Sequence, residues 1–172
     1  MLFRSYLGRP AVRRDHPDYF PLLVANYILG GGSASRLYTR VREDAGLAYA
    51  VGSSLSPGRY GASCTVSLQT RVDGVAEALR LVRAEMAGMS RAPVGERELG
   101  LAKSYLIGSF PLRLDTSTKV ADMLTAIEEY DLGLDYPDRF VEAVRRVTRA
   151  DVERVAARYL NPAEFSSVIV GK

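Results

Sequence analysis

Leu29-Gly30-Gly31-Gly32-Ser33-Ala34-Ser35-Arg36-Leu37-Tyr38-Thr39-Arg40-Val41-Arg42-Glu43-Asp44-Ala45-Gly46-Leu47-Ala48-Tyr49-Ala50-Val51-Gly52-Ser53 is the segment from which the rest of the chain can be read. Gly30 to Gly32 stop an apolar helical stretch, and a second helix runs from there to about Asp44. Ser33 or Ser35 is placed to accept a hydrogen bond from the free amides at the start of that helix, and Gly46 suits the left-handed position just past its end. Leu47 folds back on the last turn, and Tyr49 to Leu55 reads as a strand. A phosphate loop would need its glycines after a strand, in Gly-x-Gly-x-x-Gly spacing or with a Gly-Lys-Ser/Thr ending, and none of these is present. The triplet is read as a helix-to-helix reversal instead.

Outward from this segment the pattern is regular. Phe3 to Gly8 is a strand candidate, followed by a loop carrying Arg9, Arg13 and Arg14 as far as His16. Pro17 and Asp18 open the first helix, with Phe20, Leu23, Val24, Tyr27 and Ile28 spaced for one apolar face. After the hairpin loop Ser56-Pro57-Gly58-Arg59, Tyr60 to Gln69 alternates as a strand. Tyr60, Ala62, Cys64, Val66 and Leu68 face one way there, with Ser63, Thr65, Ser67 and Gln69 the other.

From Asp73 the period changes to 3.6, traced by Val75, Leu79, Val82, Met86 and Met89. A helix after Pro93 carries Leu99, Ala102, Leu106 and Phe110 and is ended by Pro111; another starts near Thr116 with Val120, Leu124 and Ile127. Shorter helices cover Pro137 to Arg145 and Ala150 to Tyr159, and Asn161-Pro162 breaks the chain before a closing strand, Phe165 to Val170. The expectation is one α+β domain over residues 1–172, a two-layer unit with a mostly antiparallel sheet and helices packed on one face. The other face of the sheet is left to line a cavity or meet a partner.

Composition removes several functions. The 20 acidic residues are interleaved with the 23 basic ones, so the net charge of +3 is not a nucleic-acid footprint, and the Arg9, Arg13, Arg14 group is read as a solvated loop. No apolar run reaches membrane-spanning length and the N-terminus lacks a signal-peptide core, so a cytoplasmic chain is expected. Cys64 stands alone and is read as a small buried hydrophobe. His16 is the only histidine; a zinc site needs three or four suitable ligands, and a serine or cysteine nucleophile needs a base, so neither is expected within this chain. The pairs Glu96/Glu98 and Glu128/Glu129 are read as solvated helix positions.

Arg42 and Tyr49 remain, one in the last turn of a helix and the other at the start of a strand beyond Gly46, so both can project from one end of the sheet. Taken alone, Arg42 could pair with a nearby carboxylate and Tyr49 could be core, and that plainer reading would stand. Ser35-Arg36-Leu37-Tyr38, Val41-Arg42-Glu43 and Gly46-Leu47-Ala48-Tyr49, however, together resemble the signature of the second, zinc-free domain of pitrilysin-type peptidases. Asp18-Tyr19, Glu98, Ala102-Lys103, Val147-Thr148 with Asp151-Val152, Tyr159-Leu160-Asn161-Pro162 and Val168-Ile169-Val170-Gly171 extend the resemblance over nearly the whole chain.

The resemblance implies half of a zinc metalloendopeptidase. Arg42 and Tyr49 would reach toward the zinc site of a partner domain or subunit, and the Tyr49 hydroxyl would stabilise the charge that grows on a peptide carbonyl oxygen. Gly31, Gly32 and Ser35 would contact an extended peptide substrate. The family's His-x-x-Glu-His zinc motif is absent, so this chain holds no cofactor of its own and the expected zinc lies in the partner. In isolation the surface meant for that partner would be open to self-association as a homodimer. The alternative is a noncatalytic structural or assembly subunit, as the core proteins of the mitochondrial cytochrome complex resemble this family without needing activity.

Overall fold

The computed structural model describes residues 2–59, 61–92 and 94–171, so the expectations resting on Tyr60 and Pro93 lie outside the described residues. Strands β1 (Leu2–Ala11), β2 (Ala48–Ser56), β3 (Ala62–Arg71) and β4 (Ser166–Val170) form a sheet in the order β2-β3-β1-β4. Every ladder in it is antiparallel. On β3 the alternation is as read from the sequence: Ala62, Cys64, Val66 and Leu68 are buried, while Ser63, Thr65, Ser67 and Gln69 lie on the other face. Cys64 is fully buried, and burial pushes its thiol up to about 11, so it behaves as a small hydrophobe.

Helices α1 (Tyr19–Gly30), α2 (Val75–Arg91), α3 (Glu96–Gly108), α4 (Ser117–Glu129), α5 (Tyr136–Arg146) and α6 (Arg149–Tyr159) accompany this sheet. None among the described residues is long and apolar enough to cross a membrane. The fold is α+β, with the helices over one face. Helix α1 differs from the single apolar face expected of it. Leu22, Val24, Ala25, Ile28 and Leu29 are all buried, whereas Phe20, Leu23 and Tyr27 are only half-buried. The cause is its central place: β2 lies against it on one side and α3 and α6 on others, so it needs apolar residues nearly all round.

Two further details of the helical layer correct the sequence reading. Helix α3 ends at Gly108, and Phe110 belongs to a separate 3-10 turn, Phe110–Arg113, in which Pro111 sits in the first turn, where its missing N–H costs nothing. On α4 the buried stripe is Met123 and Ile127, with Val120 and Leu124 exposed, because this peripheral helix meets the core along one narrow line. Thr116 caps it by accepting a hydrogen bond from the Lys119 amide.

Asp18 ties the start of α1 to α6. It is buried, and Arg154 and the Tyr159 hydroxyl (2.8 Å) both donate to its carboxylate. Burial alone would raise this carboxyl; the hydrogen bonds from Arg154 and Tyr159 and the charge of Arg154 outweigh it and hold the carboxyl below its ordinary value. A depressed folded value stabilises the fold above the unfolded carboxylate range near about 3.9, and that contribution is lost as pH falls through the folded value. Asp18→Asn should therefore lower Tm at neutral pH, with the gap to the parent closing in strong acid. Paired thermal melts across the acid range check this, and a gap constant with pH would refute it.

Candidate functional site

The glycine triplet is a packing device. A Cβ on Gly30 would lie 2.4 Å from the Ser53 amide nitrogen and 2.9 Å from the Gly52 carbonyl carbon, so α1 can approach β2 only without a side chain there. A Cβ on Gly31 would meet the Tyr27 Cα at 2.6 Å, and one on Gly32 would lie 3.1 Å from the Tyr27 hydroxyl. Gly31 is exposed and Gly32 half-buried. Ser35 is buried and its hydroxyl donates to the Gly32 carbonyl at 2.5 Å, instead of accepting from a helix amide as expected. The glycine turn is thereby pinned to the helix that follows.

That helix continues as a π-helix over Tyr38–Asp44, a rare geometry frequent at functional sites. The wide turn places the Arg42 guanidinium over the Tyr38 ring, 4.7 Å from its centroid. Neither the π geometry nor this stacking was read from the sequence; the four-residue spacing of Tyr38 and Arg42 was the available signal. The segment is clamped to its neighbours. Arg36 makes a two-pronged bond to Glu98 of α3 at 2.7 and 2.8 Å, and Arg40 pairs with Glu85 of α2 at 3.5 Å. Glu98 is thus a half-buried partner and not a merely solvated residue, and its hydrogen bonds raise the Arg36 pKa further.

Beyond the π-helix, Gly46 has φ +61° and takes the left-handed position expected of it. The Leu47 amide returns to the Val41 carbonyl at 3.0 Å, and the Leu47 carbonyl accepts from the Thr70 hydroxyl of β3. The chain enters β2 with Ala48 opposite Thr70 and Ala50 opposite Gln69, so Tyr49 is the extra residue of a β-bulge. The bulge turns Tyr49 outward: it is 72% exposed. Among the described residues its hydroxyl has no hydrogen-bond partner and Arg42 forms no ion pair, which disposes of the reading as core tyrosine and ion-paired arginine.

Next to the bulge, the uncovered face of the sheet carries small side chains. Ala50, Gly52 and Ser54 of β2 stand opposite Gln69, Ser67 and Thr65 of β3, and Tyr6 and Arg4 of β1 flank them. A depression of about 170 Å³ lined by Arg4, Tyr6, Ala50, Ser67 and Gln69 lies in this face. Tyr49 thus stands one residue from a concave strip floored by short side chains. His16 is distant in role: its Nδ1 accepts from the Asp18 amide at 3.0 Å in the loop before α1. Among the described residues no group of three or more His, Cys, Asp or Glu is placed to hold a metal ion.

A sequence profile described as the peptidase M16 inactive domain matches residues 4–106, which includes the glycine turn, the π-helix and the bulge. The chain belongs to this family. It is 30% identical over 167 residues to an uncharacterised zinc protease of Mycobacterium bovis, covering 96% of this chain and 37% of the relative. It is 31% identical over 130 residues to a non-peptidase homolog from Helicobacter pylori, covering 75% of this chain and 30% of that one. A crystal structure of a peptidase M16 inactive domain from Pseudomonas fluorescens superimposes with a TM-score of 0.89 at 30% identity, over 98% of this chain and 40% of that one. The fold is also shared with a chain of complex III from Candida albicans, with a TM-score of 0.83 at 12% identity, over 99% of this chain and 43% of that one. The chain spans about two fifths of the length of the first curated relatives it matches.

Proposed function

We propose that this chain is the metal-free, substrate-holding half of a zinc metalloendopeptidase. It binds an extended peptide along its uncovered sheet face and supplies Arg42 and Tyr49 to a zinc site carried by another domain or subunit. The observation that carries this reading is Tyr49: a bulge delivers an exposed, unbonded tyrosine hydroxyl to the rim of a concave strip, inside the segment matched by the family. Zinc, when bound in the partner, polarises the scissile carbonyl and makes water a competent nucleophile.

The residues of this chain have complementary tasks. The Tyr49 hydroxyl donates to the carbonyl oxygen as negative charge grows on it, a hydrogen bond stronger in the transition state than in the bound substrate. Arg42, held over Tyr38, donates to a neighbouring substrate carbonyl and fixes the register of the peptide. Gly31 and Gly32, braced by the Ser35 hydroxyl, present backbone to the same peptide. The small residues at Ala50, Gly52, Ser54 and Ser67 leave room for its side chains.

The Helicobacter pylori relative, named a non-peptidase homolog, supports a second reading in which the domain serves assembly without catalysis. One experiment separates the two. The purified chain is assayed for bound zinc and for cleavage of unstructured peptides, alone and with a zinc-bearing domain of the same family added. The expected result is no stoichiometric zinc and no cleavage alone, with chelator-sensitive cleavage once the partner is present. Chelator-sensitive cleavage by the chain alone would overturn the half-enzyme reading, and a partner complex that forms but never cleaves would favour assembly.

A further inference from the structure

A second cavity lies within the helical layer, walled by the β1–α1 loop, the Phe110–Arg113 turn, α4 and the first residue of α5. Its volume is about 460 Å³, within the range of small-molecule sites. Arg14 and Arg113 both line it. Most arginines on this surface are matched with carboxylates, as in Arg13–Asp15, Arg80–Glu77 and Arg139–Asp135. Among the described residues Arg14 and Arg113 form no such pair, although they share one cavity; Arg14 hydrogen-bonds only the neutral hydroxyls of Tyr19 and Tyr136. Lys119, also in the lining, is already committed to Asp115 and the Leu112 carbonyl, both at 2.8 Å.

Both guanidinium groups are held in place by aromatic rings. Arg14 lies over Tyr130, 5.3 Å from the centroid, and Arg113 over Phe140 at 5.4 Å and Phe110 at 5.8 Å. The Arg14 Nε is buried with no hydrogen-bond acceptor among the described residues. A wall of Leu112, Met123 and Ala126 supplies apolar surface opposite the charge. Asp122 is the one carboxylate of the lining, so the cavity retains net positive charge.

We propose that this cavity is a binding site for a small amphiphilic monocarboxylate, its carboxylate on Arg14 and Arg113 and its apolar body against Leu112, Met123 and Ala126. Two ring-braced guanidinium groups without a carboxylate partner match a carboxylate in shape and charge. Neither the peptide strip nor Tyr49 is involved, so the site is independent of the proposed protease role.

Calorimetric titration of the 172-residue chain with phenylbutyrate tests it, beside phenylbutylamine and inorganic phosphate. Phenylbutyrate is expected to saturate one site, the amine to show no binding, and phosphate to bind at least about tenfold more weakly, lacking the apolar contact. Arg113→Ala should weaken phenylbutyrate at least about tenfold. Ala126→Trp, which fills the apolar end, should abolish binding, and Asp122→Asn should strengthen it. All three positions are at least partly exposed, and unchanged thermal melts establish that the variants are folded. No saturable binding, equal affinity in folded Arg113→Ala and Ala126→Trp, or equal affinity for the amine overturns the site; phosphate binding as tightly as phenylbutyrate overturns its amphiphilic character.

Discussion

Tyr49→Phe, tested in a complex with a zinc-bearing partner domain as the proposed role requires, should lower kcat about 10²-fold or more, with kcat/KM falling in step and Tm unchanged. The two halves of this expectation come from the same geometry. The hydroxyl makes no bond within the described fold and the ring is 72% exposed, so its loss removes nothing that stabilises the domain. A donor aimed at growing negative charge acts mainly in the transition state, so the loss appears in kcat instead of KM. Steady-state kinetics with a fluorogenic peptide, together with a thermal melt of each variant, supply both measurements. Unchanged turnover at unchanged stability would remove Tyr49 from the mechanism, whereas a rise in KM alone would make it a peptide contact.

The segment from Leu29 to Ser53 disclosed its helix, turn and strand order because each change of direction is marked by a residue with a backbone reason to be there. Gly46 is the plainest case, since φ +61° is open to glycine at no steric cost. The β3 alternation was equally plain because one face of that strand is buried and the other is not. The π-helix and the bulge were hidden for the opposite reason. Both are extra-residue irregularities imposed by tertiary contacts, among them Arg36–Glu98, the Thr70 bond to Leu47 and the pairing register of β2, and no local composition encodes them. Arg42 and Tyr49 were singled out through resemblance, while the physical features that expose Tyr49 and brace Arg42 became visible only with the register and the Tyr38 ring in place. The arginine group was half legible: Arg13 is the exposed, carboxylate-paired loop residue expected, but Arg9 lies within β1 opposite Cys64 and reaches Glu164, and Arg14 turns inward to Tyr130. The strand runs on past Gly8 before the loop begins, and side chains in an irregular loop need not share an environment, so composition could not separate the three.

Phe140→Ala is expected to cost about 3–5 kcal/mol, the range for deleting a buried aromatic side chain. Set against a total stability of about 5–15 kcal/mol for a domain, that brings the fold close to its limit. Phe140 is 1% exposed and is the centre of an aromatic group rather than one wall of it. It stacks on Phe110 at 4.3 Å and meets Phe20 and Tyr136 edge-on at 5.6 and 6.2 Å, joining α1, α5 and the turn after α3. These neighbours belong to three separate stretches of chain, so they cannot close together to fill the void without moving whole helices. Leu124→Ala on the exposed side of α4 is the matched control, with an expected change within about 0.5 kcal/mol. Urea denaturation should show a lower midpoint at unchanged m for Phe140→Ala. Because Arg113 lies over the same ring, the variant should also loosen that wall of the carboxylate cavity. A loss below about 1 kcal/mol would mean that the helical layer repacks freely, and the aromatic group would no longer account for its rigidity.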